Sequence, residues 1–325
     1  MPSSIPSATS SVGLPTQVGS YQIESLLGEG AAGIVYRARR IADGVDVDVN
    51  PPEWVALKLL KPETTTQPQV VACFQFEGRI LSRLSHPGIL RVYETGLDNG
   101  QMFTAMELIE GESLDRYLSA KKRLSVAEAI HLARQLAEAL DYLHSHGYAH
   151  RDIKPANLMH SSAGRLVLFD FGTAIRIKDG NDYEAGLYGT PAYLAPEQIE
   201  NYGEIDGRVD LYALGIMLYL MVTGRKPFYG TRDDVLQAHL SDQPPLPTKY
   251  ARMPQALEAA ILKALAKQPA ERFDTGAAFA AALAEIEANL PPTQPSLWQK
   301  LTGWLRPTAS LLLLLFIFVR QVGQL

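Results

Sequence analysis

The sequence holds only one cysteine, Cys73, among its 325 residues. A single cysteine excludes an internal disulfide and a cysteine-based zinc site, and it is typical of a protein from a reducing compartment. We expect Cys73 to be a small, buried, apolar side chain. Basic charge is also scarce, because 30 Lys and Arg stand against 35 Asp and Glu, a net charge of -5. This balance argues against a general nucleic-acid binder, so no nucleic acid partner is expected.

The start of the chain is not expected to be a secretory signal. Residues 1–20 have neither a basic beginning nor an apolar run, and their Ser and Pro content predicts a flexible tail. The composition as a whole, 46% hydrophobic and 20% charged, excludes a disordered chain, a collagen and a coiled coil. It is sufficient for a buried core.

Hydrophobic periodicity predicts strands first and helices afterwards. Strands are predicted over residues 21–27, 33–39, 54–60, 89–95, 101–108 and 166–169, and the Asp98-Asn99-Gly100 turn predicts a hairpin. Helices are predicted over residues 69–84, 113–119, 125–146, 206–223, 231–240, 254–267 and 275–288. The order indicates an α+β fold, with a small β-rich lobe, a larger helical lobe and a hinge at residues 107–112.

A glycine-rich stretch, GEGAAGIV, occupies residues 28–35. Gly28, Gly30 and Gly33 would let backbone N–H groups approach phosphate oxygens without a Cβ in the way. Alone the pattern is weak, because dinucleotide-binding folds share it. Here a strand rather than a helix follows Gly33, which favours a hairpin lid over the phosphates of a mononucleotide.

Lys58 lies in an apolar strand, VALK, where burial is costly without an anionic partner. Glu77 on the following helix could be that partner, which would leave Lys58 able to hold phosphate oxygens. The alternative, an edge-strand lysine that reaches water, stays open on this motif alone.

Residues 150–157, HRDIKPAN, bring a carboxylate, two cations and an amide together. Asp152 could accept a hydroxyl proton, Lys154 could neutralise a migrating phosphoryl group, and Asn157 could coordinate Mg²⁺. Asp170 follows an apolar strand and offers a further oxygen ligand for Mg²⁺. Taken alone, residues 150–157 could also be a charged surface loop.

In order and spacing, these motifs resemble those of eukaryotic-type (Hanks-type) serine/threonine protein kinases, from about residue 21 to about residue 288. The resemblance also includes GTPAYLAPE at residues 189–197, Asp210 and Arg272. It implies a bilobal protein kinase fold with an N-lobe over 21–108 and a C-lobe over 112–288. It further implies transfer of phosphate from ATP, with Mg²⁺ or alternatively Mn²⁺, to serine or threonine of proteins, including the kinase itself. The compact size and Ala-rich helices resemble bacterial members.

The resemblance also implies a role for each matching residue. Asp152 would be the catalytic base, Lys154 a γ-phosphate contact, Lys58 and Glu77 an ion pair, and Asn157 and Asp170 the metal ligands. The implied nucleotide-binding residues are Gly28, Glu29, Gly30, Gly33, Val35, Ala56, Lys58, Met106, Glu107, Ile109 and Met159. The implied structural residues are Glu197 paired with Arg272, Asp210 anchoring the catalytic loop, and Phe171, Leu81 and His150 in the stack between the lobes.

The two alternatives to a protein kinase are a small-molecule phosphotransferase and a pseudokinase scaffold. A small-molecule phosphotransferase of the aminoglycoside type normally lacks the GTPAYLAPE stretch that forms a peptide platform. A pseudokinase scaffold would be expected to have lost Lys58, Asp152 or Asp170, and all three are present. Both alternatives are therefore disfavoured.

The segment between Thr173 and Thr190 contains no Ser or Thr. One hypothesis is that Asp182 and Glu184 replace a phosphate group opposite Arg151 and make the kinase constitutively active. The alternative, that both are ordinary solvated carboxylates, stays open because surface pairs contribute little. Ser and Thr of the N-terminal tail are alternative autophosphorylation targets.

The one long apolar run, within residues 307–325, follows a linker at 289–306. As a helix it would span about 28 Å, close to the ~30 Å hydrocarbon core of a bilayer. Its flanking cationic and aromatic residues are Trp298, Lys300, Trp304, Arg306 and Arg320. A membrane anchor is the favoured interpretation, with an interfacial helix or a helix docked on the lobe or on a partner as alternatives. An anchor would tether a cytoplasmic kinase domain to the inner face of the cell membrane.

Overall fold

The computed structural model describes residues 16–30, 33–41, 52–177, 189–200 and 205–291. Its N-terminal lobe is built on a six-stranded antiparallel sheet of order β1-β2-β3-β4-β6-β5. The strands are β1 (Gln17–Val18), β2 (Tyr21–Glu29), β3 (Gly33–Arg40), β4 (Trp54–Leu60), β5 (Val92–Asp98) and β6 (Gln101–Glu107). Alternating side chains of β3, β4 and β6 point inward and form the core of this lobe, which includes Tyr36, Leu57 and Phe103.

Helix α1 (Pro68–Leu81) packs beside the sheet and begins with proline at its first position, where the missing N–H costs nothing. It ends three residues before the predicted end, because Arg83 and Leu84 make tighter turn hydrogen bonds to Ile80 and Leu81. Phe74, Gly78 and Leu81 form its buried stripe. Cys73 lies outside that stripe and is exposed, so the prediction that it is buried was wrong.

The larger lobe follows and is mainly helical. Its helices are α2 (Leu114–Lys121), α3 (Val126–Ser145), α4 (Pro196–Glu200), α5 (Arg208–Thr223), α6 (Arg232–Ser241), α7 (Gln255–Ala264) and α8 (Gly276–Ala288). Helix α5 is buried on almost all sides, and it ends where Gly224 adopts a left-handed conformation with φ 75°. Helix α3 packs against both α5 and α8 and therefore links the buried helix α5 to the last helix of the lobe.

Short strands carry the loops of the larger lobe. Strands β7 (Gly111–Ser113), β9 (Leu158–Ser161) and β10 (Leu166–Leu168) form one small sheet, and β8 (Tyr148–Ala149) pairs with β11 (Ile175–Arg176). The sequence patterns did not predict β1, β7, β8, β9 or β11, which are too short to show a period. The predicted α+β class, with a small β-rich N-lobe and a larger helical C-lobe, is confirmed.

Several predicted features lie outside the described residues. They are most of the N-terminal tail, the loop carboxylates Asp182 and Glu184, most of the linker and the whole apolar segment 307–325. The exact domain boundaries stay a prediction. Among the helices of the described ranges, none combines the length and the apolar character needed to cross a membrane.

Candidate active site

The glycine-rich stretch forms a hairpin between β2 and β3, with Gly28 opposite Val35 and Glu29 opposite Ile34. The backbone N–H of Gly30 donates to the carbonyl of Gly33 at 2.8 Å and closes the end of the β2–β3 pair. A Cβ at Gly33 would lie 2.9 Å from the carbonyl oxygen of Leu59 and 3.4 Å from Cγ of Lys58. Glycine is therefore required here for the hairpin to approach the Lys58 side chain closely.

Lys58 on β4 and Glu77 on α1 are brought together, with Nζ donating to Oε2 at 2.6 Å. Both side chains are largely buried, at 21% and 12% exposed, so the ion pair is shielded from bulk water. This contact ties α1 to the sheet and holds the ammonium group beneath the glycine hairpin. Glu29 points elsewhere, since its carboxylate pairs with Lys61.

The residues predicted to contact the nucleotide base are on both lobes. In the N-lobe sheet Val35 pairs with Lys58, Ala56 with Met106, and Val55 with Glu107. Met159 is on β9 of the C-lobe, and Ile109 lies in the connection between β6 and β7. Their arrangement on the two sides of this connection is compatible with a base between the lobes.

The hinge residue Glu107 is held from two directions. Its backbone N–H donates to the carbonyl of Arg91 at 2.9 Å, and its carboxylate forms an ion pair with Arg165. Arg165 also donates to the carbonyl of Pro87 at 3.2 Å. The hinge is therefore fixed to the β9–β10 hairpin of the C-lobe, a contact that the sequence does not predict.

Asp152 is at the centre of a hydrogen-bond network in the 150–157 loop. Its Oδ2 accepts from Nζ of Lys154 at 2.6 Å and from Nδ2 of Asn157 at 3.1 Å. Its Oδ1 accepts from the hydroxyl of Thr190 at 2.8 Å, and the same hydroxyl accepts from Lys154 at 2.9 Å. The carboxylate thus already binds one hydroxyl group, beside a cation that could neutralise a phosphoryl group.

The 150–157 loop is fastened to helix α5 through Asp210. Its carboxylate accepts from the backbone N–H groups of His150 and Arg151, both at 2.8 Å, and contacts Nε2 of His144 at 2.9 Å. Burial alone would raise the pKa of Asp210, but the hydrogen bond and charge of His144 outweigh it and lower the pKa. These bonds hold Arg151 in a left-handed conformation at φ 68°, which non-glycine residues seldom adopt.

The residues that follow Asp170 reinforce this loop. The ring of Phe171 meets the ring of His150 edge-on, with centroids 4.8 Å apart, and both are fully buried. Nε of Arg151 donates to the carbonyl of Thr173 at 2.7 Å, and the Thr173 hydroxyl donates to the carbonyl of His150 at 3.0 Å. His144 and Thr173 were not singled out from the sequence, because their partners are distant along the chain.

The predicted metal ligands offer suitable oxygen atoms. Asn157 uses its Nδ2 to donate to the carbonyl of Asp152 at 2.9 Å, which leaves its Oδ1 as an acceptor. Asp170 is exposed at the end of β10, with φ 65°. In the described part of the chain no group of three or more His, Cys, Asp or Glu could hold a metal. One amide and one carboxylate oxygen suit Mg²⁺, which commonly completes its shell with water and substrate phosphates.

Glu197, the last residue of the GTPAYLAPE stretch, forms a buried ion pair with Arg272. The guanidinium donates from Nη1 to Oε1 at 2.6 Å and from Nη2 to Oε2 at 2.8 Å. Arg272 has a fully buried side chain and lies over the ring of Tyr212, at 4.8 Å from its centroid. It also donates to three backbone carbonyls, those of Ala266, Lys267 and Arg208.

The chain is similar to known proteins over most of its length. Residues 21–282 match the family model described as "Protein kinase domain". The chain is 36% identical over 283 residues to serine/threonine-protein kinase pkn3 of Myxococcus xanthus, covering 82% of this chain and 50% of that protein. It is 40% identical over 265 residues to serine/threonine-protein kinase PkaA of Streptomyces coelicolor, covering 78% of this chain and 48% of that protein. The chain spans about half the length of these curated relatives.

Proposed function

Because this chain belongs to the protein kinase domain family, we propose that it transfers the γ-phosphoryl group of ATP to serine and threonine hydroxyls of proteins, its own included. The observation that carries this proposal is the hydroxyl of Thr190 bound to Asp152 at 2.8 Å, with Lys154 at 2.9 Å from the same oxygen. The names of the bacterial relatives, serine/threonine-protein kinases, support the choice of substrate side chain.

In this proposal ATP supplies the phosphoryl group, and bound Mg²⁺, or Mn²⁺ in its place, neutralises the phosphate charge. Asp152 accepts the hydrogen bond of the acceptor hydroxyl and orients it, and then takes its proton. Lys154 places a positive charge beside that hydroxyl. Asn157 and Asp170 would hold the metal ion through Asn157 Oδ1 and the Asp170 carboxylate.

The N-lobe residues position the nucleotide. Lys58 is held by Glu77 at 2.6 Å and presents its ammonium group to the phosphates. The backbone of Gly28, Gly30 and Gly33 covers them from the other side. The hinge backbone of residues 107–109 provides the hydrogen-bonding groups for adenine.

The catalytic domain is proposed to act in the cytoplasm, where ATP is available. Tethering through residues 307–325 is a separate part of the proposal, which rests on the apolar run in the sequence. Membrane fractionation of the full chain tests it, with Leu312→Asp and Leu314→Asp together as the perturbed variant. Recovery of the unaltered chain in the soluble fraction would contradict the tether and leave the kinase assignment untouched.

The test of catalysis compares the full chain with Asp152→Asn, using γ-labelled ATP, Mg²⁺ and mass spectrometry of phosphorylated sites. Because the amide cannot accept the hydroxyl proton, we expect a loss of about 10²- to 10⁴-fold in rate. Asp233→Asn is the matched control, since Asp233 is an exposed carboxylate on α6. Equal phosphorylation by the wild type and Asp152→Asn would contradict the mechanism. ATP binding by the wild type without any phosphoserine or phosphothreonine would contradict the proposed function.

A further inference from the structure

A cationic and aromatic surface lies beside the candidate active site, and the proposed chemistry does not use it. We define the Arg225 surface as Arg225, Lys226, Tyr229, Lys249 and Tyr250, which come from the segment between α5 and α6 and the segment before α7. Arg225 and Lys249 are exposed, and Tyr229 is 60% exposed, so the surface is accessible to a partner.

The cations of this surface are held over tyrosine rings. The guanidinium carbon of Arg225 lies 4.5 Å from the ring centroid of Tyr250 and 5.7 Å from that of Tyr229. Nζ of Lys249 lies 5.7 Å from the ring centroid of Tyr250. The backbone N–H of Lys226 donates to the Tyr229 hydroxyl at 2.8 Å, which fixes the turn. Stacking of this kind positions the charges and lowers the entropy lost when an anion binds.

Within the part of the chain that the structure describes, no carboxylate forms an ion pair with these cations. Throughout the described ranges, Arg225, Lys226 and Lys249 make no ion pair, whereas Arg208 and Arg272 are each paired with a carboxylate. Asp234, on the nearby helix α6, uses its carboxylate to cap that helix through Thr231. The chain carries a net charge of -5, so this group of cations, which have no ion pair among the described residues, is a local feature.

One short turn contacts both Asp152 and the Arg225 surface. Thr190 contacts Asp152 at 2.8 Å and is followed directly by the turn Pro191–Tyr193. Nζ of Lys226 lies 5.4 Å from the ring centroid of Tyr193. Burial raises the pKa of Tyr193, with smaller contributions from the charges of Asp115 and Asp152. The turn that begins at Thr190 therefore contacts Asp152 at one end and Lys226 at the other.

We propose that the Arg225 surface binds acidic residues that flank the acceptor hydroxyl, so that this enzyme selects serine and threonine sites in acidic segments of its substrates. The inference rests on the proposed function, because it specifies the substrate class for the same site. Arginine forms paired hydrogen bonds with a carboxylate, and a stacked guanidinium is already oriented for them. Lys226 and Arg225 would then determine specificity without taking part in phosphoryl transfer.

The experiment uses a degenerate peptide library with a fixed central serine or threonine, phosphorylated by the full chain and read by sequencing of the products. We expect enrichment of Asp and Glu near the acceptor. For a matched peptide pair with Glu or Gln at the enriched positions, we expect a preference of about five- to tenfold in kcat/KM, mainly through KM. The preference should decrease with added salt, because exposed charges are screened.

Two variants test the residues themselves. Arg225→Gln and Lys226→Gln should each reduce the ratio of Glu-peptide to Gln-peptide kcat/KM towards one. Lys263→Gln is the matched control, since Lys263 is an exposed lysine held 4.5 Å from the ring centroid of Phe273, and it should keep the ratio. A peptide pair with phosphoserine in place of Glu distinguishes carboxylate recognition from phosphate recognition. Selection of phosphoserine over Glu would overturn the assignment to carboxylates.

The outcomes separate this inference from the proposed function. A library that is phosphorylated without enrichment of acidic residues, or with enrichment that survives in both variants, overturns the inference and leaves the kinase assignment standing. A library in which no member is phosphorylated overturns both.

Discussion

The buried ion pair between Glu197 and Arg272 allows a quantitative prediction for the variant Arg272→Met. The substitution keeps most of the side-chain volume and removes two charge-assisted bonds, at 2.6 and 2.8 Å, together with three bonds to backbone carbonyls. Glu197 would then be an uncompensated charge at 13% side-chain exposure. Removing one partner of such a pair costs about 3–5 kcal/mol in the free energy of unfolding.

For a domain of this size, each kcal/mol shifts Tm by about 2–4 °C, so the expected fall in Tm is roughly 6–20 °C. Scanning calorimetry or dye-based thermal unfolding of the full chain measures it. Arg134→Met is the matched control, because Arg134 pairs with Glu287 at about one-third exposure and such surface pairs contribute about 0–1 kcal/mol. The double variant Arg272→Met with Glu197→Gln should recover part of the loss. A fall in Tm no larger than that of the control would refute the reasoning.

Two further predictions concern packing and protonation. Gly276→Ala would place Cβ 2.3 Å from the backbone oxygen of Ala137 and 2.7 Å from the nitrogen of Asp141, so α8 must move away from α3. We expect the free energy of unfolding, measured by urea denaturation, to fall by about 3 kcal/mol. A fall of less than about 1 kcal/mol would contradict the close approach of α8 to α3. Burial, together with the charge of Lys267, lowers the pKa of His239 from 6.5 to about 4. At a pH between these two values, the unfolded chain therefore binds a proton at His239 that the folded chain does not bind. Stability should therefore fall by about 2 kcal/mol from pH 7 to pH 5. His239→Gln should remove this part of the fall, and an unchanged pH profile in that variant would show that His239 is not its source.

Features that depend on neighbours along the chain could be predicted from the sequence. The strand at residues 54–60 was predicted with the bounds that it has, because its β-branched and apolar residues are bordered by a proline and a charged turn. The Asp98-Asn99-Gly100 turn was also predicted, and Asn99 and Gly100 adopt the positive φ values, 47° and 83°, that such turns need. The residues of the 150–157 loop are close in sequence, so their proximity in space follows directly.

Features that depend on distant partners could not be predicted in the same way. Asp210 was expected to anchor the loop, but its contact with His144, 66 residues away, follows only from the packing of α3 against α5. The ion pair of Glu107 with Arg165 likewise requires the two lobes to be in place. The exposure of Cys73 depends on which stripe of α1 faces the sheet, and a mostly apolar helix leaves this choice open.

The attachment of the 150–157 loop to α5 through Asp210 has a consequence for how the protein tolerates sequence change. The backbone of Arg151, at φ 68°, is held by the carboxylate of Asp210 on the buried helix α5. The conformation of this residue therefore depends on the C-lobe core. Under the proposed function, substitutions that weaken the N-lobe sheet should alter nucleotide affinity while the hydrogen bonds at Asp152 persist. Heating that unfolds α5 should also release the 150–157 loop. The hydrogen bonds at Asp152 and the C-lobe fold should therefore be lost in one cooperative transition.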